Sequence, residues 1–192
     1  MASDFAHADV AERALYNTVL AGIALDGKSF FYVNPLEVWP PACMEGTSKK
    51  HVKPIRQKWF GVACCPPNIA RTLASLGQYV YSQKPEKKEL YVNLFVSNET
   101  ELDWNKDKIF VKLQTEFPWV NTYSLEVKNV PADGMDLMLR VPDYAQDYQV
   151  KADGNIYEEN KESEKGYRRV HVEKDTKVEV SFAAPAKFVY AN

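Results

Sequence analysis

The chain has 192 residues, 45% of them hydrophobic and 26% charged, the proportions of a folded globular protein rather than a disordered one. Its 24 basic and 26 acidic residues leave a formal net charge of −2, so nothing electrostatic draws it to nucleic acid or to an anionic membrane. No apolar run reaches the roughly 20 residues of a membrane helix, the opening MASDFAHADVAERALYN lacks a leader pattern, and three cysteines, an odd number, cannot close a disulfide framework.

The first predicted element is a helix over DVAERALYNTVLAGIALDG, with Asp9 as its N-cap. Val10, Leu15, Val19 and Ile23 share one broad face of it, and Asp26-Gly27 supplies the turn that ends it. Phe30, Phe31, Tyr32 and Val33 then favour extended backbone ahead of Pro35. A polar loop follows from Pro40 to Lys53. A second helix starts at Pro66-Pro67, since proline is tolerated in a first turn whose N–H groups have no helical partner. Its apolar stripe is Ile69, Leu73, Leu76 and Val80.

Around Ser82–Glu89 the chain becomes charged and proline-interrupted, the composition of a linker or exposed turn. Beyond it the period changes to two. LYVNLFVS, KIFVKLQTEF, TYSLEVKNV, MDLMLRVP, YQVKADG, YRRVHVEK and TKVEVSF are short β-rich runs parted by Asn, Asp, Gly and Pro. Runs at this spacing predict an antiparallel β-sandwich, with the charged strip EENKESEKG as a surface loop. The fold expected is thus mainly β, with a helical region over residues 1–83 and a sandwich over 84–192.

The stretch KWFGVACCPPNIAR holds Cys64 and Cys65 side by side. An adjacent pair can be two small core hydrophobes, a vicinal disulfide, or a thiolate site that binds metal or attacks a substrate. The context favours the third. A cysteine at a helix start faces free N–H groups and the positive end of the helix dipole, which lower its pKa, and Arg56, Lys58 and Arg71 are candidate cations nearby. A zinc site, however, takes four ligands, and the pair supplies two. Neither His-x3-His nor a second cysteine pair completes it.

RQKWFGVACCPPNIAR, preceded by ERALYNTVLAGIALDGKSFFYVNPLEV, closely resembles glycoside hydrolase family 127, the β-L-arabinofuranosidase family, and LYVNLFV, TEFPW and LMLRVP extend the likeness into the β-rich half. VPDY at 141–144 departs from the family pattern in the sandwich. The resemblance implies the end of an (α/α) barrel followed by a β-sandwich, and a zinc-dependent retaining hydrolysis of a carbohydrate substrate. It implies that Cys64 is a zinc-bound thiolate nucleophile, that Cys65 is a second zinc ligand, and that Glu12 and Tyr32 hydrogen-bond the sugar. The family's other zinc ligands, in a Glu-x-Cys motif, and its general-acid glutamate belong upstream of the ERALYN helix. On this expectation the chain is an internal part of a larger enzyme, inactive alone and prone to self-association or to pairing with the rest of the barrel. No compartment is assigned.

Each of these residues has a plainer role beside the implied one. Glu12, next to Arg13, also reads as a solvated charge, and Tyr32 as an aromatic of the core. Trp39 and Trp59 are read as packing rather than sugar platforms, Cys43 as a loop thiol, and His7, His51 and His171 as structural or surface residues. Asp136, Asp143 and Asp147 lack the loop spacing of an EF-hand. The alternative function is non-catalytic: a carbohydrate-binding or structural sandwich in a larger protein.

Overall fold

Side-chain polarity alternates along most of the chain after residue 88. The computed structural model, which describes residues 5–34, 37, 39–47, 49–62, 64–158 and 166–188, folds that alternation into two facing sheets. The chain divides into two compact units, Met1–Asp9 with Gln78–Asn192, and Val10–Gly77. Most of the expected loop at EENKESEKG lies outside the described residues.

The β-rich unit contains β1 (Tyr81–Lys84), β2 (Glu89–Val92), β3 (Asn98–Trp104), β4 (Asp107–Thr115), β5 (Thr122–Lys128), β6 (Met135–Arg140), β7 (Gln146–Ala152), β8 (Asn155–Ile156), β9 (Tyr167–Val172) and β10 (Thr176–Ala183). One sheet has the order β1-β2-β6-β9 and the other β3-β4-β5-β10-β7-β8. Every pair in the larger sheet is antiparallel, and register places Leu125 between Leu113 and Val178, all three buried. These alternate residues meet Leu90, Val92, Leu137, Leu139, Val170 and Val172 of the smaller sheet in one core. Burying each such side chain contributes roughly 1.5–3 kcal/mol.

Three details differ from the sequence-based expectation. Tyr81–Lys84 is a strand rather than a linker, because Pro85–Lys87 forms a 3-10 turn and Lys88 turns left-handed (φ 57°), which returns the chain as β2. The run LYVNLFVS ends its ladder at Val92, where the amides of Asn93 and Leu94 bond the Val80 carbonyl. Lastly, β2 and β6 pair in parallel. Both strands are covered on two faces, since Tyr91, Met138 and Tyr167 form a second apolar cluster of their own, and two-sided burial is the habit of parallel strands. Gly134 closes the turn into β6 at φ +71°, where a Cβ would stand 3.0 Å from the His171 ring.

At the other end of the chain, α1 spans Phe5–Ala14 and continues through a π turn at Leu15–Val19 and a 3-10 turn at Leu20–Gly22. Leu15 is buried while Val10, five residues earlier and about 140° away around a regular helix, is 65% exposed, so the predicted single apolar face does not form. Asp9 is not an N-cap. It lies inside α1 and its carboxylate pairs with the Arg140 guanidinium, which has no exposed surface, and accepts from the Asp143 amide at 3.3 Å. The turn at Asp26-Gly27 is as expected, closed by bonds from Gly27 N–H to the Ala24 carbonyl and from Lys28 N–H to the Asp26 carboxylate.

Within the Val10–Gly77 unit, the FFYV segment makes only a two-sided β-bridge, Phe30 pairing with Ile23 and with Gln57. α2 runs Cys65–Ala74 with prolines in its first turn and Cys64 as N-cap residue. Its Ile69 lies against Gly22, where a Cβ would meet Ile69 Cδ1 at 3.5 Å.

Candidate functional site

Proline sets the geometry of the site. α2 opens at Cys65 with Pro66 and Pro67 in its first turn, and Cys64, the N-cap residue, has helical backbone (φ −85°, ψ −34°) at the helix entrance. The side chain of Asn68 donates to the Cys64 carbonyl at 2.7 Å, and Arg71 in turn donates to the Asn68 side-chain oxygen. Cys64 is exposed and Cys65 half-buried, with their sulfurs 3.9 Å apart in hydrogen-bond contact and not joined as a disulfide.

Tyr32 reaches this helix start from the FFYV segment. Its ring packs against Phe60 at 5.5 Å, Phe60 packs on Phe30 at 5.2 Å, and the Tyr32 hydroxyl stands 2.6 Å from Cys64 Sγ. The bond is an O–H donor on a sulfur acceptor when Cys64 is ionised. It lowers the Cys64 thiol pKa below its ordinary value, with further help from Cys65 and from the backbone amides of both residues. The same bond pushes the Tyr32 phenol up to about 12. Cys65 moves the other way, raised first by desolvation and then by its neighbouring sulfur. The two thiols are therefore unequal.

Of the cations read from the sequence, Arg56 and Arg71 are engaged by groups other than the cysteine sulfurs. Arg56 donates to the Ala21 carbonyl and lies over the Phe31 ring at 4.6 Å, and Arg71 is engaged by Asn68. Glu12 is on α1 with 4% of its surface exposed, which excludes the solvated charge that the sequence left open. Trp39 and Trp59 are exposed, not packed as expected, and Cys43 is not in an irregular loop but ends the 3-10 turn Pro40–Cys43, half-buried and donating to the Trp39 carbonyl at 3.6 Å. Asp136 bonds His171 at 2.7 Å on the sandwich, a pairing that belongs to no cluster of metal donors among the described residues.

The structure thus brings Cys64, Cys65 and Tyr32 together. It adds Asn68, whose bond to the Cys64 carbonyl went unread, although an Asn four residues past a helix entrance is a signal for such a bond. Two thiolates sharing a tetrahedral zinc at about 2.3 Å stand about 3.8 Å apart, and these sulfurs stand 3.9 Å apart. The pair fits one metal ion as two of its ligands. Among the described residues no group of three or more His, Cys, Asp or Glu gathers to supply a fuller set.

Comparison with known proteins covers both units. Residues 1–78 match the model described as β-L-arabinofuranosidase, GH127 catalytic domain, and residues 89–186 match its GH127 middle domain. The non-reducing end β-L-arabinofuranosidase of Bifidobacterium longum is 37% identical over 134 residues, which are 70% of this chain and 20% of that protein. The structure of a GH127 β-L-arabinofuranosidase from Geobacillus stearothermophilus T6 is similar over 100% of this chain and 30% of its own, with 40% identity and a TM-score of 0.83. A second structure, of a GH127 β-arabinofuranosidase, shows 32% identity and a TM-score of 0.73 over 95% of this chain and 29% of its own. The chain therefore spans less than a third of each of these relatives.

Proposed function

Because the chain belongs to glycoside hydrolase family 127, we propose that it carries the nucleophile segment of a retaining glycosidase acting on β-L-arabinofuranosides or related plant-glycan sugars, with Cys64 as the attacking group. The observation that carries this is the inequality of the two sulfurs: Cys64 is exposed and hydrogen-bonded by Tyr32, while Cys65 is half-buried beside it.

Cys64 and Cys65 would hold zinc through their sulfurs. The metal, when bound, keeps both thiols ionised near neutral pH. Cys64 Sγ then attacks the anomeric carbon as the glycosidic C–O bond breaks, and the departing oxygen takes its proton from a glutamic acid that this reading puts outside the 192 residues. In the second half, that glutamate removes a proton from water, the water oxygen bonds the anomeric carbon, and the C–S bond breaks to return the thiolate. Cysteine here stands where most retaining glycosidases place a second carboxylate. Glu12 and Tyr32 face the sugar in this scheme.

The test is hydrolysis of a β-L-arabinofuranosyl chromogenic substrate by the full-length protein and its Cys64→Ala variant. Loss of turnover with retained folding is expected, and undiminished turnover by the variant removes Cys64 as nucleophile. In the same assay the 192-residue chain alone should be slow by at least about 10²–10⁴-fold, the usual contribution of a positioned general acid.

A further inference from the structure

A sugar-binding tyrosine and a nucleophile-binding tyrosine differ in where the phenolic proton goes. A tyrosine has one O–H to donate. In this chain the Tyr32 hydroxyl lies 2.6 Å from Cys64 Sγ, and the ring that carries it is held by Phe60, itself held by Phe30. Phe30 is fixed in turn by its bridge to Gln57, with bonds of 3.0 and 2.9 Å between the two residues' backbones. The hydroxyl is thus aimed by packed elements rather than by a free rotamer.

The other end of Cys64 is held as firmly. Asn68 donates to its carbonyl at 2.7 Å, Arg71 fixes the Asn68 side-chain oxygen, and Thr72 bonds the Asn68 carbonyl at 2.9 Å. Cys64 is therefore gripped at the carbonyl by α2 and at the sulfur by Tyr32. Cys65, one residue away, receives neither contact, its sulfur lying 3.9 Å from Cys64 Sγ.

Resting on the reading of Cys64 as nucleophile, we propose that Tyr32 is a positioning residue for that sulfur: its hydroxyl donates to Cys64 Sγ, fixes the side chain in its exposed orientation, and selects Cys64 over Cys65 as the reactive thiol. With its proton so placed, Tyr32 can offer a sugar hydroxyl only acceptor lone pairs. Its contribution then falls on the chemical step more than on binding.

Tyr32→Phe removes one oxygen and keeps the ring in its aromatic stack. In the full-length protein freed of metal, iodoacetamide labelling resolved by mass spectrometry should modify the exposed Cys64 well ahead of the half-buried Cys65 in the wild type. In the variant this preference should shrink by about tenfold, the scale of one hydrogen bond to a charged group. In the full-length protein the same substitution should lower kcat by about 10–100-fold and leave KM within about threefold. Wild-type labelling of Cys64 in the variant overturns the proposal, as does a raised KM at unchanged kcat, the pattern of a residue that serves only the sugar. The labelling arm does not depend on the enzyme's reaction. If Cys64→Ala stays active, the nucleophile assignment fails, and the labelling ratio still reports whether Tyr32 controls the sulfur.

Discussion

Tyrosine shows how far one residue type can be driven by its surroundings in this chain. Tyr32 is raised to about 12 by its bond to a sulfur, whereas Tyr81 reaches about 12 because burial disfavours the phenolate. Tyr123 and Tyr148, paired hydroxyl to hydroxyl at 3.1 Å in the sandwich core, are raised by burial as well. A folded-state value above the unfolded one means that stability from the neutral phenol is fully present below about pH 10 and is lost as pH climbs toward the folded value. We therefore expect a substantial part of the phenolate absorbance to appear only with alkaline unfolding, close to pH 12. Tyr148→Phe should reduce that part. Complete phenolate absorbance in the chain while it is still folded would contradict the burial described.

At the scale of elements, the buried pair Arg140–Asp9 ties the end of β6 to α1. Arg140 also lies over the Phe95 ring at 4.6 Å and accepts a bond at its carbonyl from the Tyr148 hydroxyl at 3.2 Å. Removing either charge strands the other in a site from which water is excluded, which costs about 3–5 kcal/mol. Arg140→Met and Asp9→Leu should each lose that much in urea unfolding, while the double variant loses much less than their sum. Additive losses would mean that the charges do not depend on each other. None of this pairing was legible in the sequence: 131 residues separate the partners, and Asp9 ahead of an apolar run looks like an N-cap. Of the strands that were legible, β4, β5, β7 and β10 alternate apolar and polar residues against a one-sided core, while β6 was legible as a short apolar run buried on both faces and β9 as a β-rich run between turn residues. Those missed carry a weaker signal. β3 reads NETELDW, which alternates in burial but has only Leu102 and Trp104 as apolar members, and β1 reads YSQK, defined mainly by the turn that follows it. In the site, the cysteine pair and the helix start were legible because both are local. The Tyr32–Cys64 bond was not, since it spans 32 residues and depends on how Phe60 packs.

Over the whole molecule, burial is divided unevenly between the two units. The fully buried side chains of largest volume, among them Arg140, Tyr167, Phe95, Leu125 and Leu137, all belong to the unit that contains the sheets. In Val10–Gly77 the buried residues among those described are Glu12, Leu15 and Gly22, while Leu25, Trp39, Met44, Ile55, Trp59 and Val62 are exposed. Local opening is least costly where few apolar contacts must be given up. Amide hydrogen exchange of the 192-residue chain should therefore be slowest in β4, β5, β6 and β10, whose ladders cover the core, and much faster from Ala24 to Val62. α2 should fall between, because Ile69 packs on Gly22 while Leu73 is 37% exposed. Protection of the 24–62 segment equal to that of β5 would refute the division. The consequence for the site is direct. Cys64 sits in the less protected unit, so its geometry depends on the short-range grips of Tyr32, Asn68 and the prolines rather than on a deep core. Cys64→Ser, which keeps those contacts in kind, should leave the exchange pattern unchanged, whereas Pro66→Gly should speed exchange in the first turn of α2.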